Sequence, residues 1–129
     1  MLTIFLIDDD PDDQEFFCLA MKKVNPDSNC TFADDCPRAM EKLRDSSFTP
    51  QLIFIDINMP RMNGIECLRE IRRIPRLQKI PAFMYSTFAD TRTVELCQEL
   101  GANGFLRKQF SIADAKRDFE QIIAKLHLQ

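Results

Sequence analysis

Five short and nearly unbroken apolar segments constrain the fold of this chain more than any other feature. They occupy residues 2–7, 30–33, 52–55, 82–85 and 104–106. Strands that are buried on both faces have this composition, and such strands are usually parallel, since strands with one wet face alternate apolar and polar residues. The segments therefore predict five parallel strands that are buried on both faces.

Segments with helical periodicity separate these strands. They cover residues 11–24, 37–45, 64–74 and 90–100, and a last one opens at Ser111. Pro75 ends the third helix, and Gly101 follows the fourth, where a left-handed C-terminal residue is expected. Asp114, three residues after Ser111, nearly completes a capping box. Five β–α repeats predict an α/β fold, a doubly wound (βα)5 sheet in the order 2-1-3-4-5 with helices on both faces.

Length and charge narrow the function classes. A chain of 129 residues with 45% hydrophobic and 29% charged residues is expected to form one globular domain over residues 1–129, with no output domain. Its net charge of −3 argues against a nucleic-acid partner. No apolar run reaches the roughly 20 residues that span a bilayer, and Met1 is not followed by a basic leader segment. We therefore expect a cytoplasmic protein without a membrane contact.

The five cysteines give no sign of a metal or redox motif. Cys18, Cys30, Cys36, Cys67 and Cys97 are scattered and odd in number, and no two have CxxC spacing. Small buried hydrophobic residues in a reducing compartment are the simplest interpretation.

Three aspartates are predicted to converge at one edge of the sheet. In a doubly wound sheet of this order, ligands bind beyond the carboxyl ends of the strands, between the first and third strands. Asp8 and Asp9 end the first strand and Asp56 ends the third. An unpaired buried carboxylate costs several kcal/mol, so Asp56 is unsuited to the core. Converging hard oxygen ligands without His or Cys predict a site for Mg²⁺ or Mn²⁺.

Two further strand ends carry polar groups. Ser86 and Thr87 follow the fourth strand, and Lys108 follows the fifth. Acids, hydroxyls and an ammonium group at one edge suit a phosphoryl group formed on a carboxylate, with a cation and Lys108 neutralising its oxygens.

The remaining acids of the "DDDPDD" segment are assigned to the first helix. Asp10 is expected to be the N-cap with Pro11 at the first helical position. Asp12 and Asp13 then lie in the first turn, where the positive end of the helix dipole stabilises their negative charges.

Four motifs carry a resemblance to a known family. "LIDDD", "FIDINMPRMNG", "PAFMYST" and "GANGFLRK" occur in that order. Over essentially its whole length the chain resembles the receiver domain of two-component response regulators, the family of the chemotaxis regulator. The resemblance implies the flavodoxin-like, CheY-like version of the fold.

The resemblance also implies a role for each site residue. Asp56 would accept a phosphoryl group from a phosphohistidine on a sensor histidine kinase or a phosphotransfer protein. Asp8 and Asp9 match the acidic pair, and the main-chain carbonyl of Asn58 would complete the Mg²⁺ ligands with Asp9 and Asp56. Lys108 would contact a phosphoryl oxygen.

Switching is implied by a second group of matches. Ser86, beside Thr87, corresponds to the hydroxyl that moves toward the phosphoryl group, and Phe105 to the aromatic residue that follows it. Gly64 would allow a backbone conformation that other residues resist. The surface of the fourth helix, fifth strand and fifth helix would signal to an unidentified downstream protein. The chain would be a monomer or a weak homodimer. It would catalyse only its own phosphorylation and dephosphorylation and would otherwise not be an enzyme.

Two positions depart from the family pattern. Gln109 replaces a proline that usually follows the lysine in a cis peptide, and we predict a trans Lys108–Gln109 bond because a cis bond before a non-proline residue costs about 3–4 kcal/mol. Phe88 replaces a small or polar residue, and we expect its ring to shield an acyl phosphate from water.

Three alternatives were open from the sequence. An aspartate-nucleophile phosphatase of the haloacid dehalogenase kind would use Asp8 as nucleophile and Asp10 as acid, although 129 residues leave little room for its second acidic site. A flavodoxin-like FMN binder needs a loop free of clustered aspartates. A receiver relative that no longer accepts phosphate would act as a scaffold.

Overall fold

The computed structural model describes residues 1–59 and 62–127. Within them the chain alternates strands and helices, with one single-turn 3-10 helix at Pro75–Leu77. The strands are β1 (Thr3–Ile7), β2 (Asn29–Ala33), β3 (Leu52–Asp56), β4 (Ala82–Ser86) and β5 (Gly104–Arg107). The helices are α1 (Pro11–Val24), α2 (Cys36–Arg44), α3 (Gly64–Arg72), α4 (Thr91–Glu99) and α5 (Ile112–Lys125).

The strands form a single parallel sheet in the order β2-β1-β3-β4-β5. This confirms the predicted class and strand order. The third helix ends at Arg72, two residues before the predicted end, and the 3-10 turn follows it. The second helix begins one residue earlier than predicted, at Cys36.

The central strands bury both of their faces. Along β1, Ile4 and Leu6 lie in one core cluster while Phe5 and Ile7 lie in the other. Helices α1 and α5 cover the first cluster, and α2, α3 and α4 cover the second. The unbroken apolar composition of the strands follows directly from this two-sided burial.

Each α-helix in the described residues begins at a side chain that caps its free N–H groups. The capping residues are Asp10, Asp35, Asn63, Asp90 and Ser111. The predicted N-caps Asp10 and Ser111 are thereby confirmed. Because these caps lie close behind the strand ends, the helices start at the edge where the predicted site residues lie.

The two glycines singled out by the sequence act in different ways. Gly101 has a φ of 106°, so the left-handed position predicted after the fourth helix is confirmed. The reason given for Gly64 was wrong, because its φ is not positive. A Cβ at Gly64 would instead overlap the main-chain carbonyl of Asp56, so the glycine lets α3 begin directly beside the end of β3. Pro60 and Arg61 of the "MPRMNG" motif lie outside the described residues.

The cysteine prediction was wrong for one pair. Cys36 and Cys67 form a disulfide that joins the start of α2 to α3, with their Cα atoms 5.7 Å apart. Both are fully buried, as predicted, but the bridge replaces two separate thiols. The remaining three, Cys18, Cys30 and Cys97, are free.

None of the helices within residues 1–59 and 62–127 combines the length and the apolarity that a membrane crossing needs.

Candidate functional site

Three carboxylates meet where β1 and β3 end. Asp8, Asp9 and Asp56 each offer an oxygen atom, and these atoms lie within 4.8 Å of one another. The pairing of Ile7 with Ile55 places the two strand ends side by side, which confirms the predicted convergence. Asp8 and Asp56 are buried, whereas Asp9 is exposed.

Lys108 follows β5 and brings a positive charge to the same place. Its Nζ atom lies 2.9 Å from Asp8 Oδ2 and 3.5 Å from Asp56 Oδ2. The main-chain N–H of Lys108 donates to the carbonyl of Ser86 at 2.9 Å, which ties the end of β5 to the end of β4. The Lys108 side chain is only 11% exposed, so these interactions are weakly screened by water.

A third carboxylate partner of Lys108, Asp13, was missed as a site residue. Asp13 Oδ2 lies 2.8 Å from Lys108 Nζ, so the assignment of Asp13 to helix initiation alone was wrong. Asp13 occupies the first turn of α1, as predicted, and also contacts the ammonium group. Asp10 is a cap, as predicted, and among the described residues Asp12 is not one of the acids that converge at the strand ends.

Gln14 is a second residue that the sequence did not indicate. Its Nε2 atom donates to the main-chain carbonyl of Asp8 at 2.7 Å and to Asp34 Oδ1 at 2.9 Å. These bonds join the segment that follows β1 to the segment that follows β2. Gln14 therefore helps to fix the loop that carries Asp8 and Asp9.

The electrostatic balance of the site is negative. Asp8, Asp9, Asp13 and Asp56 face one ammonium group from Lys108. Burial raises the pKa of Asp56 to about 6, the Lys108 charge opposes this, and the charge of Asp8 adds to it. Burial likewise raises the pKa of Asp8, although the N–H of Asp10 and Lys108 counter part of the effect. The folded chain therefore disfavours full ionisation of its own site.

Lys108 responds in the opposite direction. Burial alone would lower its pKa, but hydrogen bonds to Asp13 and Asp8 and the charge of the carboxylates outweigh it, so the pKa is raised. The ammonium group also lies 5.3 Å from the centre of the Tyr85 ring, within the range of a cation–π contact. Lys108 is accordingly a fixed positive charge.

Ser86 is buried beside the acidic cluster. Its hydroxyl donates to the carbonyl of Phe88 at 3.0 Å and accepts from Asn58 Nδ2 at 3.3 Å. The main-chain N–H of Asn58 in turn donates to Asp56 Oδ1 at 3.2 Å. Ser86 and Asp56 are thus connected through Asn58.

An open groove of about 250 Å³ lies beside the segment that follows Ser86. Thr87 and Phe88 are exposed on it, the latter with 71% of its surface accessible. Its lining residues are Ile57, Asn58, Thr87, Phe88, Ala89, Asp90 and Thr93. Phe105 lies elsewhere, half-buried against the core cluster under α2, α3 and α4.

The Lys108–Gln109 peptide is trans, as predicted, since the described residues contain no cis bond. The Gln109 amide donates to Asp118 Oδ2 on α5 at 2.9 Å. Because Gln109 replaces the usual cis-proline, this contact helps to hold the segment after β5 in place.

The donor set fits a hard divalent cation. Carboxylate oxygens from Asp8, Asp9 and Asp56 converge, no His or Cys belongs to the cluster, and the surplus of negative charge favours a cation. Asn58 lies two residues beyond Asp56, and its amide N–H rather than its carbonyl makes the contact to the carboxylate. The carbonyl ligand implied by the resemblance stays a prediction.

The fold and the site together define a doubly wound α/β domain with converging acids and a lysine at the carboxyl edge of its parallel sheet. The family described as Response regulator receiver domain matches residues 4–120. The chain belongs to this family. Receiver domains are signalling domains, and the predicted family is confirmed.

Individual relatives agree with this membership. Chemotaxis protein CheY-3 of Vibrio cholerae is 30% identical over 99 residues, which is 77% of this chain and 75% of that protein. The Mn²⁺-bound form of response regulator Rcp1 superposes with a TM-score of 0.82 at 27% identity, covering 96% of this chain and 93% of the other. The phosphorylated cyanobacterial phytochrome response regulator RcpA gives a TM-score of 0.84 at 25% identity, over 95% and 91%.

The raised pKa of Asp56 makes a prediction about stability. When the pKa of a carboxyl is higher in the folded than in the unfolded state, the folded protein loses stability as pH rises between the two values. For Asp56 these values are the ordinary 3.8 and about 6. Asp56→Asn should therefore be more stable than wild type by about 1–3 kcal/mol near neutral pH, and the difference should vanish below about pH 4. Urea unfolding in the presence of a chelator measures this.

The matched control is Glu15→Gln, which removes an exposed carboxylate from α1. It should leave the stability unchanged at both pH values. An Asp56→Asn variant that is no more stable than wild type at neutral pH would contradict the electrostatic account.

Proposed function

We propose that this chain is a phosphoacceptor response regulator. It takes a phosphoryl group onto Asp56 from a phosphohistidine of a sensor histidine kinase or a histidine phosphotransfer protein. The observation that carries the proposal is the position of the Asp56 carboxylate, within 4.8 Å of the Asp8 and Asp9 oxygens and 3.5 Å from Lys108 Nζ.

The chemical step is a displacement at phosphorus. An Asp56 carboxylate oxygen forms the new bond to phosphorus while the bond between phosphorus and the donor imidazole nitrogen breaks, and the imidazole leaves with that electron pair. The N–H of Asn58 orients the attacking carboxylate, and Lys108 offsets charge on the phosphoryl oxygens. Neither residue needs to change its protonation state.

Asp8, Asp9 and Asp56, with the carbonyl of Asn58, would hold Mg²⁺ or Mn²⁺. When bound, such a cation neutralises the carboxylates and the phosphoryl oxygens together. Mn²⁺ is bound by Rcp1, a relative that is 27% identical to this chain, which supports the choice of metal.

The rival phosphatase needs Asp8 as its nucleophile, and the geometry favours Asp56 instead. The Asp8 carboxylate is fully buried and lies 2.9 Å from Lys108 Nζ. The Asp56 carboxylate keeps 7% exposure at the same edge. A phosphoryl donor can approach Asp56 more readily than Asp8.

We propose that Ser86 and Thr87 read the phosphorylated state and that Phe105 follows them. Thr87, the next residue, lies beside an open groove, so the segment that follows Ser86 has space to move. The signal would pass to a downstream protein at the surface formed by α4, β5 and α5. A groove of about 350 Å³ between Leu106 of β5 and Ile122 of α5 offers that surface an apolar recess.

The first test is acylphosphate formation. Incubation with acetyl phosphate and Mg²⁺ should add one phosphoryl mass to the wild type and none to Asp56→Ala, as measured by intact-protein mass spectrometry. The adduct should be absent when a chelator replaces the cation. Steady release of phosphate that requires Asp8, without an adduct on Asp56, would support the phosphatase instead.

Three aspartate variants separate the acids of the first loop and helix. Asp9→Asn should lose nearly all transfer because it removes a metal ligand, and Asp12→Asn should lose little. Asp13→Asn should slow transfer by about tenfold, because Lys108 loses one of its three carboxylate partners and its position. The rate of adduct formation measures all three, and equal rates for Asp12→Asn and Asp13→Asn would contradict the role given to Asp13.

The exposed ring of Phe88 supplies the last prediction for this site. We expect it to slow attack of water on the acyl phosphate, so Phe88→Ala should shorten the lifetime of the adduct. The decay of the phosphorylated mass after removal of the donor measures it. An unchanged lifetime would show that the ring does not shield the site.

A further inference from the structure

One stripe of α1 follows strand β2 from end to end. Gln14, Cys18 and Lys22 are spaced by four residues and so lie on one face of the helix. Gln14 contacts Asp34 just beyond the carboxyl end of β2, and Lys22 Nζ donates to the carbonyl of Ser28 just before its start, at 3.3 Å. Cys18, the middle residue of the stripe, therefore faces β2 between these two hydrogen bonds, and Cys30 lies on that part of β2.

The stripe places the two thiols on facing surfaces of α1 and β2. Cys18 is one of the neighbours that raise the pKa of Cys30. Both cysteines are free and both are partly exposed, whereas the third free cysteine, Cys97, is buried. Cys30 packs against the core cluster under α1 and α5, on the face of the sheet opposite the Cys36–Cys67 bridge.

A buried hydroxyl lies two residues before Cys30. Ser28 is 3% exposed, and its Oγ atom has no hydrogen-bond partner among the described residues. A buried polar atom of this kind requires an explanation. Ser28 is placed to donate to a Cys30 thiolate, and the Lys22 charge also favours that thiolate.

We propose that Cys18 and Cys30 form a redox-active dithiol that a hydroperoxide oxidises to a disulfide between α1 and β2. The pair is independent of the phosphoacceptor site and of the existing bridge. The unpartnered Ser28 hydroxyl and the Lys22 ammonium group are the elements that stabilise the second thiolate in this reaction.

The reaction takes two displacements. The Cys18 thiolate attacks a peroxide oxygen, the O–O bond breaks, and the leaving oxygen takes a proton to give an alcohol or water. The Cys30 thiolate then attacks the resulting Cys18 sulfenic acid, the S–O bond breaks, and the leaving hydroxide takes a proton to give water. Two thiols and one hydroperoxide thus become one disulfide, one alcohol or water, and one further water.

The order of the two sulfurs follows from their surroundings. Burial and then the neighbouring Cys18 charge raise the pKa of Cys30 to about 12. Because the thiolate is the nucleophile, the raised pKa slows attack by Cys30 on the peroxide, so we assign the first attack to Cys18. Cys30 is the resolving sulfur, and its ionisation depends on Ser28 and Lys22.

The aspartates of the chain make the product easy to locate. Cleavage on the N-terminal side of aspartate separates all five cysteines, because Asp27, Asp34, Asp45, Asp56 and Asp90 lie between them. After treatment of the whole protein with hydrogen peroxide and alkylation of remaining thiols, non-reducing mass mapping should show one new link, between the fragments that carry Cys18 and Cys30. The Cys97→Ser control should give the same link.

Variants of the pair test the order of events. Cys30→Ser should stop at a Cys18 sulfenic acid that dimedone traps, and Cys18→Ser should give no trapped product on Cys30. The proposal is overturned if both thiols of the wild type stay open to alkylation after peroxide, or if they are oxidised without joining. The wild-type map decides this even if a variant fails to fold.

Ser28 has its own test. Ser28→Ala should lengthen the lifetime of the Cys18 sulfenic acid by about fivefold, the equivalent of one hydrogen bond to the Cys30 thiolate. Ser46→Ala, which changes an exposed serine, is the control and should leave the lifetime unchanged. An equal lifetime for both variants would remove Ser28 from the resolving step.

Discussion

The ion pairs of Lys108 are the interaction on which the rest of the site depends. Parallel pairing of β1 with β3 brings Asp8 and Asp56 together at one edge, where burial and mutual repulsion oppose their ionisation. Lys108 reaches them from the end of β5, and Asp13 reaches the same ammonium group from α1. The topology creates the repulsion and also supplies the charge that offsets part of it. What remains is a negative site, and this residual charge is the reason that a divalent cation fits it.

The parts of this site that the sequence predicted are those that follow from topology. A series of apolar strands indicates a parallel sheet, and a parallel sheet determines which edge carries the site. The polar residues at the strand ends are then the site candidates: Asp8, Asp9, Asp56, Ser86 and Lys108. Asp13 was missed because helix initiation already accounted for an acid in the first turn. Its partner is 95 residues away and leaves no local signal. The available signal was helical spacing, since Asp13 precedes the buried Phe17 by four residues and so points toward the sheet edge.

The prediction for the cysteines was wrong for a related reason. Spacing motifs such as CxxC detect partners that are close in sequence, whereas Cys36 and Cys67 are 31 residues apart and meet because α2 and α3 lie on the same face of the sheet. Cys30 packs under α1, the helix that carries Cys18, and spacing in the sequence does not show this either. Gly64 shows the same limit, because the sequence indicated that a glycine was needed but the cause was the carbonyl of Asp56, which only the folded chain places there.

The contacts of Ser86 set a lower limit on what phosphorylation must supply. Its hydroxyl donates to the Phe88 carbonyl and accepts from the Asn58 amide, and both contacts must break if it is to bond a phosphoryl group on Asp56. Each such hydrogen bond contributes about 0.5–1.5 kcal/mol, so the two together favour the present arrangement by about 1–3 kcal/mol. In the proposed switch, a bias of that size would leave a minor population of the switched form before any modification. A phosphoryl group on Asp56 would then need only a few kcal/mol of new contacts with Ser86 and Lys108 to reverse the balance, which two charge-assisted hydrogen bonds would supply.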